Sequence, residues 1–241
     1  MGGAELLPRG DALVKKVWLL FLALPLAVLS AAAAEASTCT TGTYSSYVSL
    51  GSGGCTIGDK IFYDFTFVSI TGESSGSVTV VPVSDGTNFG FNFGFPSVVG
   101  IDEDDYLLGY SVRTIGDPGP ALIKDVSVTG ALGASAGAGV SVAELVCIGG
   151  TFSAAGVCSS GNVEDLFITS GAATDSIDFD PVNVLGLIKD INLNATTEGS
   201  TAQLTALFNT VSQTTVPEPG TLLLLGSALA GAAVWGRKKI K

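Results

Sequence analysis

Along most of the chain, apolar residues alternate with polar ones or gather in short runs, and Gly, Ser, Asn and Asp clusters cut the runs apart. This pattern predicts strands separated by turns. Residues 60–70 put Ile61, Tyr63, Phe65 and Phe67 on one face, while Phe62, Val68 and Ile70 make the other face apolar too. A strand buried in a sandwich reads this way. The same reading predicts strands at 44–50, 77–83, 88–93, 106–115, 123–129, 139–148, 163–169, 176–179, 182–193 and 202–211, the last of which also fits a short helix. Turn chemistry stands between them at Gly51-Ser52-Gly53-Gly54, Ser84-Asp85-Gly86 and Gly116-Asp117-Pro118-Gly119. With no long amphipathic helical window, the expected fold is all-β, an antiparallel β-sandwich of about ten strands. Residues 130–139, rich in Gly, Ala and Ser, read as a loop or a flat edge strand. One internal echo stands out: Leu122-Ile123-Lys124-Asp125 returns as Leu187-Ile188-Lys189-Asp190. It fits either duplicated halves or two strands meeting the same local demand.

Two apolar stretches do not alternate, and both lie near the ends. Lys15 and Lys16 precede an uncharged run from Val17 to Val28, followed by small residues up to Ala36. This is the layout of a secretory signal peptide, with cleavage frames after Ala34 or Ala36 and residues 1–36 taken as the signal. Met1 to Leu13 is long and acidic for the segment before such a run, so translation starting near Val14 also fits. At the other end, Pro217-Glu218-Pro219 holds the backbone extended, because each proline fixes its own φ and restricts its predecessor. An uncharged stretch from Leu222 to Trp235 follows, and then Arg237-Lys238-Lys239. A helix over about 15 residues reaches roughly 22 Å, short of the ~30 Å hydrocarbon core unless its flanks are drawn in. The basic end predicts a cytoplasmic C-terminus, with everything before Pro217 on the far side of the membrane.

Val216-Pro217-Glu218-Pro219, the block Leu222-Leu223-Leu224-Leu225-Gly226 and the terminal Arg237-Lys238-Lys239 together resemble the PEP-CTERM sorting signal of bacterial surface proteins. The resemblance implies recognition by an exosortase, a membrane-embedded cysteine transpeptidase-like enzyme that cuts near the Pro-Glu-Pro motif and releases or re-anchors its substrate. It also implies a transient membrane anchor through the C-terminal helix, a final place at the cell surface or outside the cell, and association with exopolysaccharide. Lysine and Ile240 in the basic end depart from the family's arginine-rich ending, but topology needs only charge. The expected organisation is a signal peptide (1–36), an exported β-sandwich domain (37–215) and the sorting signal (216–241).

Composition narrows the function of the exported region. It holds 18 acidic residues against four basic ones, Lys60, Arg113, Lys124 and Lys189, which disfavours nucleic acid and anionic membrane surfaces as partners. Its four cysteines, Cys39, Cys55, Cys147 and Cys158, suit an oxidising compartment. The expected pairing is Cys39 with Cys55 and Cys147 with Cys158, each closing a short Gly/Ser-rich loop for about 3 kcal/mol in the chain-entropy picture. A four-cysteine zinc site is the competing reading, disfavoured because there is no Cys-x-x-Cys pair and no histidine.

The absence of histidine also removes serine–histidine triads and histidine-ligated zinc hydrolysis. Catalysis would rest on carboxylates, at Asp102-Glu103-Asp104-Asp105, at Glu164-Asp165, or at Asp175, Asp178 and Asp180. A glycosidase needs two of these facing each other across a cleft, and the exported region has no Trp to stack on a sugar. No catalytic residue is assigned, and the expectation is a protein without enzymatic activity. Calcium is the candidate cation, with Asp178 and Asp180 on one side of a strand as the candidate pair, although the spacing fits no EF-hand loop. Asn194-Ala195-Thr196 is a formal glycosylation sequon, read as incidental. The leading expectation is a structural surface or matrix component. The alternative is a carbohydrate-binding or adhesin-like module, which a groove ringed by Tyr44, Tyr47, Tyr106 and Tyr110 would favour.

Overall fold

Period-two alternation builds two antiparallel sheets that bury their apolar faces against each other. The computed structural model describes residues 36–71, 73–116 and 121–214. The expected signal peptide, sorting motif, C-terminal helix and basic tail lie outside the described residues. With strands numbered in chain order, sheet A runs β1 (Ser37–Thr38), β3 (Cys55–Ile57), β4 (Lys60–Ser69), β8 (Asp102–Thr114), β13 (Val184–Ala195), β10 (Ala138–Ile148), β11 (Val163–Thr169). Sheet B runs β12 (Thr174–Val182), β9 (Ile123–Ala134), β14 (Thr201–Gln213), β6 (Asn88–Gly94), β5 (Thr79–Ser84), β2 (Gly42–Thr43), with β7 (Val98–Val99) also on β14. Every pairing is antiparallel except the short β1–β3 contact. Ten of these strands are six residues or longer, and ten of the eleven predicted windows fall on them.

The eleventh window is corrected. Residues 44–50 begin with a short helix, α1 (Tyr44–Val48), not a strand. Tyr44 and Tyr47 are three residues apart, so on a helix their rings share one side and enter the core together. Their hydroxyls donate to the Gly109 carbonyl at 2.8 Å and the Thr40 carbonyl at 2.7 Å, which satisfies both on burial. Residues 202–211 lie in β14 and are not helical.

The face assignment of β4 also changes. Asp64 has a φ of 54° and the register with β8 slips between Tyr63 and Thr66, which marks a bulge. One extra residue reverses the phase. Lys60 and Phe62 point inward before the bulge, Phe65 and Phe67 after it, so Ile61 and Tyr63 do not share the face of Phe65.

The small-residue stretch 130–139 is divided between the end of β9, a turn, and the start of β10. Its β9 part pairs with β14, while β12 reaches only as far as Thr129, so among the described residues it is an edge on one side. The Leu-Ile-Lys-Asp echo lies in opposite sheets and opposite phase. In β9, Ile123 is buried and Lys124 exposed; in β13, Leu187 and Lys189 are buried.

The core between the sheets is aromatic toward β4 and β6 and aliphatic toward β10 and β11. Phe62, Phe65, Phe91, Phe93, Tyr44, Tyr47 and Tyr110 pack with ring centroids mostly 5 to 6 Å apart, many of them edge to face.

Candidate functional site

The tyrosines named as a possible groove lining are core residues, and of the four only Tyr110 borders the groove described below. Tyr44, Tyr47, Tyr106 and Tyr110 are all buried, and they form no exposed platform. The acidic residues are spread along edges and strand ends. Asp102 and Glu103 are exposed where β8 begins, and Glu164 and Asp165 are exposed on the edge strand β11. Asp175 on the other edge, β12, accepts the Phe167 N–H at 2.9 Å and so helps close the side of the sandwich where β11 and β12 meet. Asp178 and Asp180 are exposed at alternate positions of β12. Among the described residues no group of three or more acidic or cysteine side chains is placed to hold a metal ion.

Cys39 is joined to Cys55 and Cys147 to Cys158, with Cα separations of 4.9 and 5.4 Å. The second bridge shapes the surface. It folds the segment after β10 back over the outer face of sheet A, where a Cβ on Gly186 would come within 2.9 Å of the backbone of Thr151 and Phe152. Only glycine allows this approach.

The overlying segment forms one wall of an open groove of about 760 Å³. Gly109, Ser111 and Ile188 lie along its floor, Thr66 and Val68 on the β4 side, and Phe152 to Gly156 opposite. Val68 is 54% exposed and Leu107 beside it 39%. Among the described residues that line this groove, Asp64 is the one carboxylate.

The most unusual chemistry is inside, where the sequence reading placed no site. Lys189 on β13 and Glu144 on β10 are directly opposite in register, and both side chains are 0% exposed. Lys189 Nζ donates to Glu144 Oε1 at 3.1 Å. Glu144 Oε2 accepts from Asn209 Nδ2 on β14 at 2.9 Å, so one carboxylate binds a group from each sheet. Asn209 Nδ2 also donates to the Ser127 carbonyl at 3.2 Å, and Asn209 Oδ1 accepts from the Tyr110 hydroxyl. The Lys189 amine lies 4.5 Å from the Tyr110 ring centroid and 5.9 Å from that of Phe93. Burial pushes the Lys189 amine below its ordinary range, opposed by the Glu144 charge, and pushes the Glu144 carboxyl above its ordinary range, opposed by Lys189.

The arrangement defines an all-β, two-sheet domain whose two disulfides fit an extracytoplasmic compartment. Residues 215–238 match the family model of the PEP-CTERM protein-sorting motif, which marks export and sorting at the membrane by an exosortase. No curated protein sequence matches the chain. Among solved structures it is similar to TmCBM61 in complex with beta-1,4-galactotriose, with 12% identity, a TM-score of 0.32, and coverage of 60% of this chain and 86% of that one. It is also similar to the Glycosylation Associate Protein (Gap123) complex from Streptococcus agalactiae, with 8% identity, a TM-score of 0.25, and coverage of 66% of this chain but 26% of that one. Neither likeness bears on ligand or activity.

Proposed function

We propose that this protein is a non-enzymatic structural component of the cell surface or extracellular matrix, processed by an exosortase and associated with exopolysaccharide. The sorting motif at residues 215–238 carries the reading. Val216, Pro217, Glu218 and Pro219 would be the recognition sequence, and Arg237, Lys238 and Lys239 would hold the tail in the cytoplasm until cleavage. The burial of Tyr44, Tyr47 and Tyr106 in the core, away from the groove, supports it.

The test is the intact mass of the protein recovered outside the cell from strains with and without the exosortase. Loss of the residues beyond Pro-Glu-Pro only when the enzyme is present is the expected result. A full-length tail in the membrane of both strains would contradict it.

One observation favours a carbohydrate-binding module as the second reading. The groove sets the hydroxyls of Thr66, Ser111 and Ser153 beside Phe152, an arrangement able to take a sugar chain. Titration with the host's own exopolysaccharide separates the readings, because binding lost on Phe152→Ala would assign the groove to it.

A further inference from the structure

We propose that Lys189 and Asn209 become joined by an intramolecular amide bond between Lys189 Nζ and Asn209 Cγ, with release of ammonia and with Glu144 as the proton carrier. Lys189 belongs to sheet A and Asn209 to sheet B, so the bond ties the two layers of the sandwich at their centre.

Hydrogen bonds gather the amine, the acid and the amide at one point. The two oxygens of Glu144 hold the amine at 3.1 Å and the amide nitrogen at 2.9 Å, which brings nucleophile and leaving group to one acid. The Tyr110 hydroxyl donates to Asn209 Oδ1, the atom that gains negative charge when nitrogen adds to the carbonyl carbon. Lys189, Glu144 and Asn209 are buried, so water does not compete for the carbonyl.

The step balances without any co-reactant. Transfer of one proton from the ammonium to the carboxylate leaves a neutral amine and a carboxylic acid, the form favoured by desolvation on both sides. The amine lone pair then forms the new C–N bond. Glu144 takes the proton that this nitrogen sheds and gives one to Asn209 Nδ2. The Cγ–Nδ2 bond breaks, ammonia leaves, and Glu144 remains protonated, a form suited to a buried acid that has lost its cation. A permanent ion pair accounts for the site less well. The Lys189 amine has three donors, but the structure gives it a single oxygen acceptor and two ring faces.

The experiment is mass spectrometry of the full chain expressed with its export signals, measured after reduction. The expected mass falls short of the processed sequence by one ammonia. Cleavage at acidic residues, including Glu198 between the two sites, is expected to leave the peptide bearing Lys189 attached to the one bearing Asn209. Glu144→Gln, which preserves volume, is expected to restore the full mass expected for its own sequence while both disulfides still form. The parent protein at full mass, or an ammonia deficit that maps elsewhere, overturns the cross-link, whatever the folding of the variant. A joined pair of peptides in Glu144→Gln overturns the role of Glu144.

Discussion

Two of the four cations between residues 37 and 215 are inside the sandwich, and their settings are opposite. Lys60, at one end, donates to Asp59 Oδ1 at 2.6 Å, Gln213 Oε1 at 2.6 Å and the Ala121 carbonyl at 3.3 Å, one oxygen for each of its three N–H groups. Its partner Asp59 keeps 28% of its side chain in solvent. Lys189, at the centre, shares a fully buried carboxylate with an amide from the other sheet and otherwise faces rings. The end of the sandwich therefore holds a satisfied ammonium, which seals the gap between sheets. The centre holds an amine short of acceptors beside an acid and an amide, which is the composition of a reaction rather than of a stable ion pair.

The largest effect expected from breaking this contrast is at the centre. Lys189→Met should cost about 3–5 kcal/mol in denaturant unfolding, since it removes the bond that ties the two sheets. The double variant Lys189→Met with Glu144→Leu sharpens the point. An ion pair is recovered by such an apolar replacement, whereas a protein that has lost a cross-link stays well below the parent. Next comes the peripheral staple, which ties no sheet to its partner. Replacing Cys147 and Cys158 with Ser should cost about 2–4 kcal/mol and open the groove wall formed by Phe152 to Gly156. Lys60→Met should cost less than Lys189→Met, about 1–3 kcal/mol, because Asp59 can turn to water.

The smallest effect lies in an exposed turn. Asp85, in the turn between β5 and β6, accepts hydrogen bonds from the Asn88 side-chain amide, the backbone N–H groups of Asn88 and Thr87, and the Thr87 hydroxyl. These hold its carboxyl well below the usual carboxylate range, with the Asn88 side-chain bond the largest cause. Its contribution is thus present above the ordinary carboxylate pKa and lost as pH falls through the lower folded value. Asp85→Asn should flatten the acid limb of the stability profile slightly, leaving neutral stability nearly unchanged.

The contrast between the lysines was partly legible in the chain. In β13 the inward phase runs Leu185, Leu187, Lys189, Ile191, Leu193, and in β10 it runs Val140, Val142, Glu144, Val146, Ile148. A charge at the apolar phase of each of two strands is the signal, and apolar periodicity alone does not single it out. That Lys189 faces Glu144 depends on register, and that Asn209 meets them depends on sheet packing, which no local window contains. The cysteine pairing was readable because each bridge closes a short loop. The short helix at Tyr44 is hidden by the alternation of Val48, Ser49 and Leu50 at its end, and the phase of β4 is hidden because nothing adjacent to Asp64 announces a bulge.

The echo in the sequence supplies the control for the most direct test. Lys124 and Lys189 both lie in Leu-Ile-Lys-Asp, so trypsin acting on the reduced, denatured protein meets the same residues around both. Cleavage is expected after Lys60 and Lys124 and not after Lys189, whose amine is already an amide. Equal cleavage after Lys124 and Lys189 would contradict the cross-link and leave the centre of the sandwich an ordinary buried ion pair.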